Sequence, residues 1–166
     1  ALLSAAIGQF RSSEIPLDQL MSETLFLSRL FKYEWIYEER AEFKNVFMRT
    51  LRFFRHSGWV EFDDDGEPDR IVTLASPAPS ELEFFRRLVL TFLEGYSIVA
   101  RMLGEMVERP MEKSEITKRA LKNARNDYLA GRVLFHESLS KPTYENALRL
   151  LTDWGVVTRQ FDEAKK

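Results

Sequence analysis

Acid–base work in this 166-residue chain would fall first to its two histidines, His56 and His136. A catalytic base needs a proton within hydrogen-bond reach and a partner that fixes its ring. His56 precedes Ser57 and Gly58, and His136 precedes Glu137. A single adjacent carboxylate is no triad, so both are expected to be structural or surface residues. The run "DDDGEPD", Asp63 to Asp69, is superficially calcium-like. It lacks the alternating acids and closing Glu of an EF-hand loop, and a solvated turn is expected. The seven glycines are scattered and form no phosphate-cradling loop. There is no cysteine, which excludes disulfides and Cys-based zinc sites. Spacing alone therefore assigns no catalytic, cofactor-binding or metal-ligating residue, and no cofactor is expected.

Nucleic-acid recognition needs exposed cations and a field that attracts phosphate. Lys44, Arg49, Arg52 and Arg55 form a basic stripe on one predicted helix, but "DDDGEPD" would place carboxylates where a wing meets the backbone. On a later helix, Lys141, Glu145, Arg149 and Asp153 cancel one another, and the chain's net charge is −2. DNA binding is therefore the lesser reading, and no nucleic-acid partner is expected.

The elements that carry these residues are mostly helical. "ALLSAAIGQF" reads as a short apolar helix. The chain opens without Met inside that pattern, which reads as a piece of something longer. "SSEIPLDQLMSETLFLSRLFKYEW" follows, with Ser12 or Ser13 near the cap and Pro16 in the first turn. "EFKNVFMRTLRFFRHSG" has Phe43, Phe47, Leu51 and Phe54 on one face and Gly58 at its stop. "WVEF" and "IVTL" flank the acidic loop as a β-hairpin.

After the linker "SPAP" comes the longest predicted helix, Ser80 to Arg109, with a Ser80/Glu83 capping box and apolar residues nearly all round its middle. Next is a helix with Ile116, Ala120, Leu121, Ala124 and Tyr128 on one face and Gly131 as stop. The stretch "SKPTYENALRLLTDWGVV" has Ser140 as cap, Tyr144, Ala147, Leu148, Leu151 and Trp154 as the buried stripe, and Gly155 as stop. "VVTRQF" reads as an edge strand. Aligning Gly58 with Gly155 lays Phe47–Val60 over Tyr144–Val157 with matching aromatic, leucine, arginine and valine positions.

This echo predicts a mainly α chain with two winged-helix-like units, each with a short hairpin or edge strand, joined by a long apolar helix. The expected domains are residues 1–75, a linker at 76–79, and 80–166. A core is affordable: hydrophobic residues make up 45% of the chain, including thirteen Phe and three Trp. No run of about 20 apolar residues occurs.

"FLEGYSIVARML" and "ESLSKPTYENAL" together resemble the C-terminal region of the long glycerol-3-phosphate acyltransferases, the bacterial membrane-associated type and its mitochondrial and peroxisomal relatives. The matching polar positions are Glu94 and Tyr96 in the first motif and Glu137, Ser140, Lys141 and Asn146 in the second, with Gly155–Val156 closing. The match is good over residues from about 84 to 157, and "IPLDQLM" and "GWVEF" fit more loosely.

The resemblance implies acyl transfer from acyl-CoA or acyl carrier protein to the 1-hydroxyl of sn-glycerol 3-phosphate, the first step of phospholipid synthesis. The family's catalytic His and Asp, with four residues between them, lie upstream of the matched region. The corresponding position after His56 is Glu61, and after His136 it is Lys141, so no catalytic residue is carried over. The expectation is a non-catalytic module, inactive alone, with a packing, membrane-orienting or oligomerising role. Its implied partners are the acyltransferase catalytic domain and a membrane surface. Its implied place is peripheral, on the cytoplasmic side of the inner membrane.

Overall fold

The computed structural model describes residues 1–35, 42–63, 70–108 and 110–158. They form two compact units, Ala1–Leu90 and Thr91–Lys166. The chain is mainly helical with one small three-stranded sheet.

The first unit contains α1 (Leu2–Ile7), β1 (Glu14–Pro16), α2 (Leu17–Leu30), α3 (Phe43–His56), β2 (Val60–Glu61) and β3 (Ile71–Leu74). Its sheet has the order β1-β3-β2 and is antiparallel throughout. The predicted hairpin is present, with Val60 opposite Leu74 and Glu61 opposite Thr73. Most of the connecting acidic loop, residues 64–69, lies outside the described residues, and with it the calcium-like run.

β1 was not expected. Residues assigned to the start of a helix instead pair with β3, Ile15 facing Val72, and both side chains are fully buried. Two further bonds extend the ladder, from the Leu17 amide to the Arg70 carbonyl and from the Leu74 amide to the Ser13 carbonyl, both 2.8 Å. Pro16 is tolerated because β1 is an edge strand and Pro16 is its last residue. The helix therefore starts at Leu17, and its buried face is Leu20, Thr24 and Leu27.

α3 buries Phe47, Leu51 and Phe54 as its spacing predicts. It ends in a Schellman motif. The Gly58 amide donates to Arg55 O, the Trp59 amide donates to Phe54 O, and Gly58 has φ 71°. Trp59 packs on Phe54 with ring centroids 5.0 Å apart, the apolar contact that accompanies this cap.

The long helix differs from expectation. α4 runs Ser80–Arg101, and a separate short helix, α5 (Leu103–Glu108), follows. The Met102 amide bonds back only three residues, to Val99 O, where the two meet. Not all of the apolar residues of α4 are buried. Leu82, Val89, Tyr96, Ile98 and Val99 are buried, whereas Phe84, Leu88 and Leu93 are exposed. The Glu83 carboxylate does not close a capping box. It accepts from Arg86 and Arg87 instead.

The second unit continues with α6 (Lys113–Leu129), a 3-10 turn (His136–Ser138) and α7 (Lys141–Asp153). α6 buries Ile116, Thr117, Ala120 and Ala124, with Tyr128 exposed. α7 buries Thr143, Tyr144, Ala147, Leu148 and Leu150, so the stripe turns away from Leu151 and Trp154. α6 and α7 repeat the α3 ending, with Gly131 and Gly155 at φ 70° and 72° and the same pair of reverse amide bonds. The echo between Gly58 and Gly155 thus corresponds to a shared cap. No strand occurs among the described residues of this unit. Val156 and Val157, expected to begin an edge strand, both donate to Leu151 O, and residues 159–166 lie outside the described set.

Candidate functional site

The second unit brings together much of what the two sequence motifs hold apart. Glu94 projects from α4 toward the segment before α7. Its Oε1 accepts from the Leu134 amide at 2.7 Å, and its Oε2 from the Phe135 amide at 2.9 Å. The Ser138 hydroxyl lies 2.7 Å from the same Oε2 and 3.0 Å from Thr91 O, so its one proton is shared between two acceptors. A carboxylate suits this place because it accepts from several donors and offers none of its own.

The chain backbone reaches Glu94 closely because of Gly95. A Cβ there would sit 2.9 Å from Thr143 Cγ2 and 3.4 Å from the Ser138 carbonyl. A glycine in mid-helix costs about 1 kcal/mol relative to alanine. Here it permits α4 to lie against the 3-10 turn and the first turn of α7.

Ser140 then starts α7. Its Oγ accepts the Thr143 amide at 3.4 Å, and Pro142 occupies the first turn, as the sequence predicts. Tyr144 sits fully buried, and its hydroxyl has no hydrogen-bond partner among the described residues. Burial pushes its phenol up to about 12, with Arg101 pulling down and Glu94 pushing up.

The remaining motif positions are dispersed. Tyr96 is buried. Glu137 and Lys141 are exposed and Asn146 is half-buried. Lys141 and Lys113 share Glu145, at 3.7 and 3.8 Å, surface pairs worth well under about 1 kcal/mol. His56 is exposed at the end of α3. His136 lies edge-on to Tyr128 at 5.4 Å. No group of three or more metal-ligating side chains occurs among the described residues.

Glu94 and Ser138 are a carboxylate and a hydroxyl in hydrogen-bond contact, the outline of a base and a nucleophile. Ser138 is 1% exposed, so its oxygen faces the interior rather than solvent. The pair is a latch between α4 and the start of α7. Sequence reading missed Ser138, Gly95 and Thr143, because their roles depend on contacts across more than forty residues.

A groove of about 320 Å³ opens nearby, lined by Ile98, Met102 and Asn123 among others. Its charges are already matched. Asp127 accepts from Arg101 at 3.2 Å and from Arg132 at 2.7 Å, and Glu105 pairs with Arg119 at 3.4 Å. It presents no acid–base pair.

The model of the glycerol-3-phosphate acyltransferase C-terminal region matches residues 1–160. The chain belongs to this family. The match spans both units, so the first unit is as much part of the region as the motif-bearing second one. Comparison with curated proteins finds no match.

Proposed function

We propose that the chain is a non-catalytic module of a glycerol-3-phosphate acyltransferase, acting by packing against the catalytic part and orienting it at the membrane. The family match carries this reading, and the latch supports it. The motif carboxylate and its hydroxyl partner are spent inside the second unit, where they tie α4 to α7. The whole protein would acylate glycerol 3-phosphate from acyl-CoA or acyl carrier protein. Its place would be peripheral, on the cytoplasmic side of the inner membrane. Among the described residues no helix is long and apolar enough to cross a membrane. The test is direct. The purified chain, incubated with acyl-CoA and glycerol 3-phosphate, should give no product above background, and turnover would overturn the reading.

The first unit we read as a winged helix turned to packing. The order helix, strand, helix, helix, hairpin and the sheet order β1-β3-β2 support this. A DNA-reading role is the competing use. Of the basic stripe on α3, Arg55 already donates to Phe62 O at 3.3 Å and lies over the Phe62 ring. Tight DNA binding that weakens steeply with salt would favour the competing use.

A further inference from the structure

We propose that the outward face of α6 docks on an anionic phospholipid surface. Lys118, Lys122, Arg125 and Leu129 are all exposed. At 3.6 residues per turn they fall within roughly 60° of arc, on the side opposite buried Ile116, Ala120 and Ala124. The stripe runs about 16 Å along the helix axis, so α6 meets a flat surface lengthwise.

The charge on this face is uncompensated. α6 carries five cations and two carboxylates, Glu115 and Asp127. Glu115 is held by Arg119 at 2.7 Å, and Asp127 by Arg101 and Arg132. Among the described residues, Lys118, Lys122 and Arg125 have no ion-pair partner, although the chain as a whole is net acidic at −2. An ordinary solvated helix face would explain the cations. It does not explain Leu129, 84% exposed at the end of the same stripe, or Leu134, 75% exposed just past the turn at Gly131.

Cations in line with bare leucine side chains match a headgroup layer with acyl chains beneath it. A nucleic acid or an acidic protein surface would take the cations and leave the leucine in water. This deepens the module reading by naming the surface, and it rests on that reading only for its biological setting.

The experiment is flotation of the purified chain with phosphatidylcholine vesicles, with and without phosphatidylglycerol, at low and high salt. Binding should require phosphatidylglycerol and fade as salt screens it. Each cation contributes about fivefold in affinity, so Lys118→Gln/Lys122→Gln/Arg125→Gln should bind on the order of a hundredfold more weakly. Leu129→Asp should also weaken binding. All these side chains are exposed, and unchanged circular dichroism would confirm that the variants fold. Equal binding to neutral vesicles, undiminished binding by the triple variant, or binding to DNA without binding to vesicles would each overturn the proposal. Vesicle binding is read without acyltransferase turnover, so failure here leaves the module reading standing, and turnover by the chain leaves this one standing.

Discussion

Replacing Glu94 with glutamine tests the latch most sharply. The substitution keeps size and shape but offers one carbonyl oxygen where the carboxylate offers two. Three donors converge on Glu94, the amides of Leu134 and Phe135 and the hydroxyl of Ser138. At least one of them must then face an NH2 group. Hydrogen bonds to a charged acceptor are worth about 1.5–3 kcal/mol and neutral ones about 1 kcal/mol. Losing one and weakening two by about 0.5–2 kcal/mol each gives about 2.5–7 kcal/mol. The bond to Leu134 is exposed, and the Ser138 proton can turn to Thr91 O, so the lower end applies.

Glu94→Gln should therefore cost about 2.5 kcal/mol in urea denaturation, a fall in Tm of roughly 5–10 °C for a chain of this size. Ser138→Ala should cost about 1 kcal/mol, since it gives up one shared proton. The double variant should show a coupling of about 1 kcal/mol. A Glu94→Gln variant within about 0.5 kcal/mol of the parent would refute the latch. So would a complete acyltransferase carrying Glu94→Gln that keeps its stability but loses its turnover, because the glutamate would then belong to the chemistry.

Other predictions follow from the same geometry. Gly95→Ala should destabilise by about 1–2 kcal/mol through its clash with Thr143, despite better helix propensity. Gly104→Ala, with open space around it, should stabilise by up to about 1 kcal/mol. Ser140→Ala should cost about 1 kcal/mol for the lost cap; thermal melts check all three. Tyr144→Phe removes a buried hydroxyl without a partner and should be neutral or slightly stabilising. Because the folded Tyr144 phenol is raised from 10.0 to about 12, its contribution is intact below pH 10 and lost as pH climbs toward 12. The Phe variant should flatten that alkaline limb of a stability-against-pH curve. Glu83, held down from 4.5 to about 2 by Arg86 and then Arg87, stabilises above pH 4.5 and loses that contribution as pH falls toward 2. Glu83→Gln should remove a small acid-limb slope, well under about 1 kcal/mol because the pair is at the surface.

Much of the fold was legible because local rules govern it. The three glycine stops at Gly58, Gly131 and Gly155 need a left-handed backbone that only glycine adopts cheaply. Ser140 with Pro142 marks a helix start for reasons contained in four residues. The hairpin β2–β3 was legible from its flanking turn residues. What was missed is non-local. β1 is three residues long and exists because Val72 offers Ile15 a partner; nothing within "SSEIPL" distinguishes it from a helix start. The capping box at Ser80 failed because Arg86 and Arg87 compete for Glu83.

The same division holds for function. By itself the sequence determined helix periodicity, the caps, the absence of any spacing that makes a catalytic centre, and the motif residues Glu94, Tyr96, Glu137, Ser140, Lys141 and Asn146. Only the tertiary structure decided what they do. It set Glu94 on Ser138 forty-four residues away and buried Tyr96, while leaving Glu137 and Lys141 in solvent. It also fixed which cations find a carboxylate, pairing Arg101 and Arg132 with Asp127 while leaving Lys118, Lys122 and Arg125 facing outward. Hydrogen bonds and ion pairs act over a few ångströms, and which side chains come that near across long separations is settled by packing.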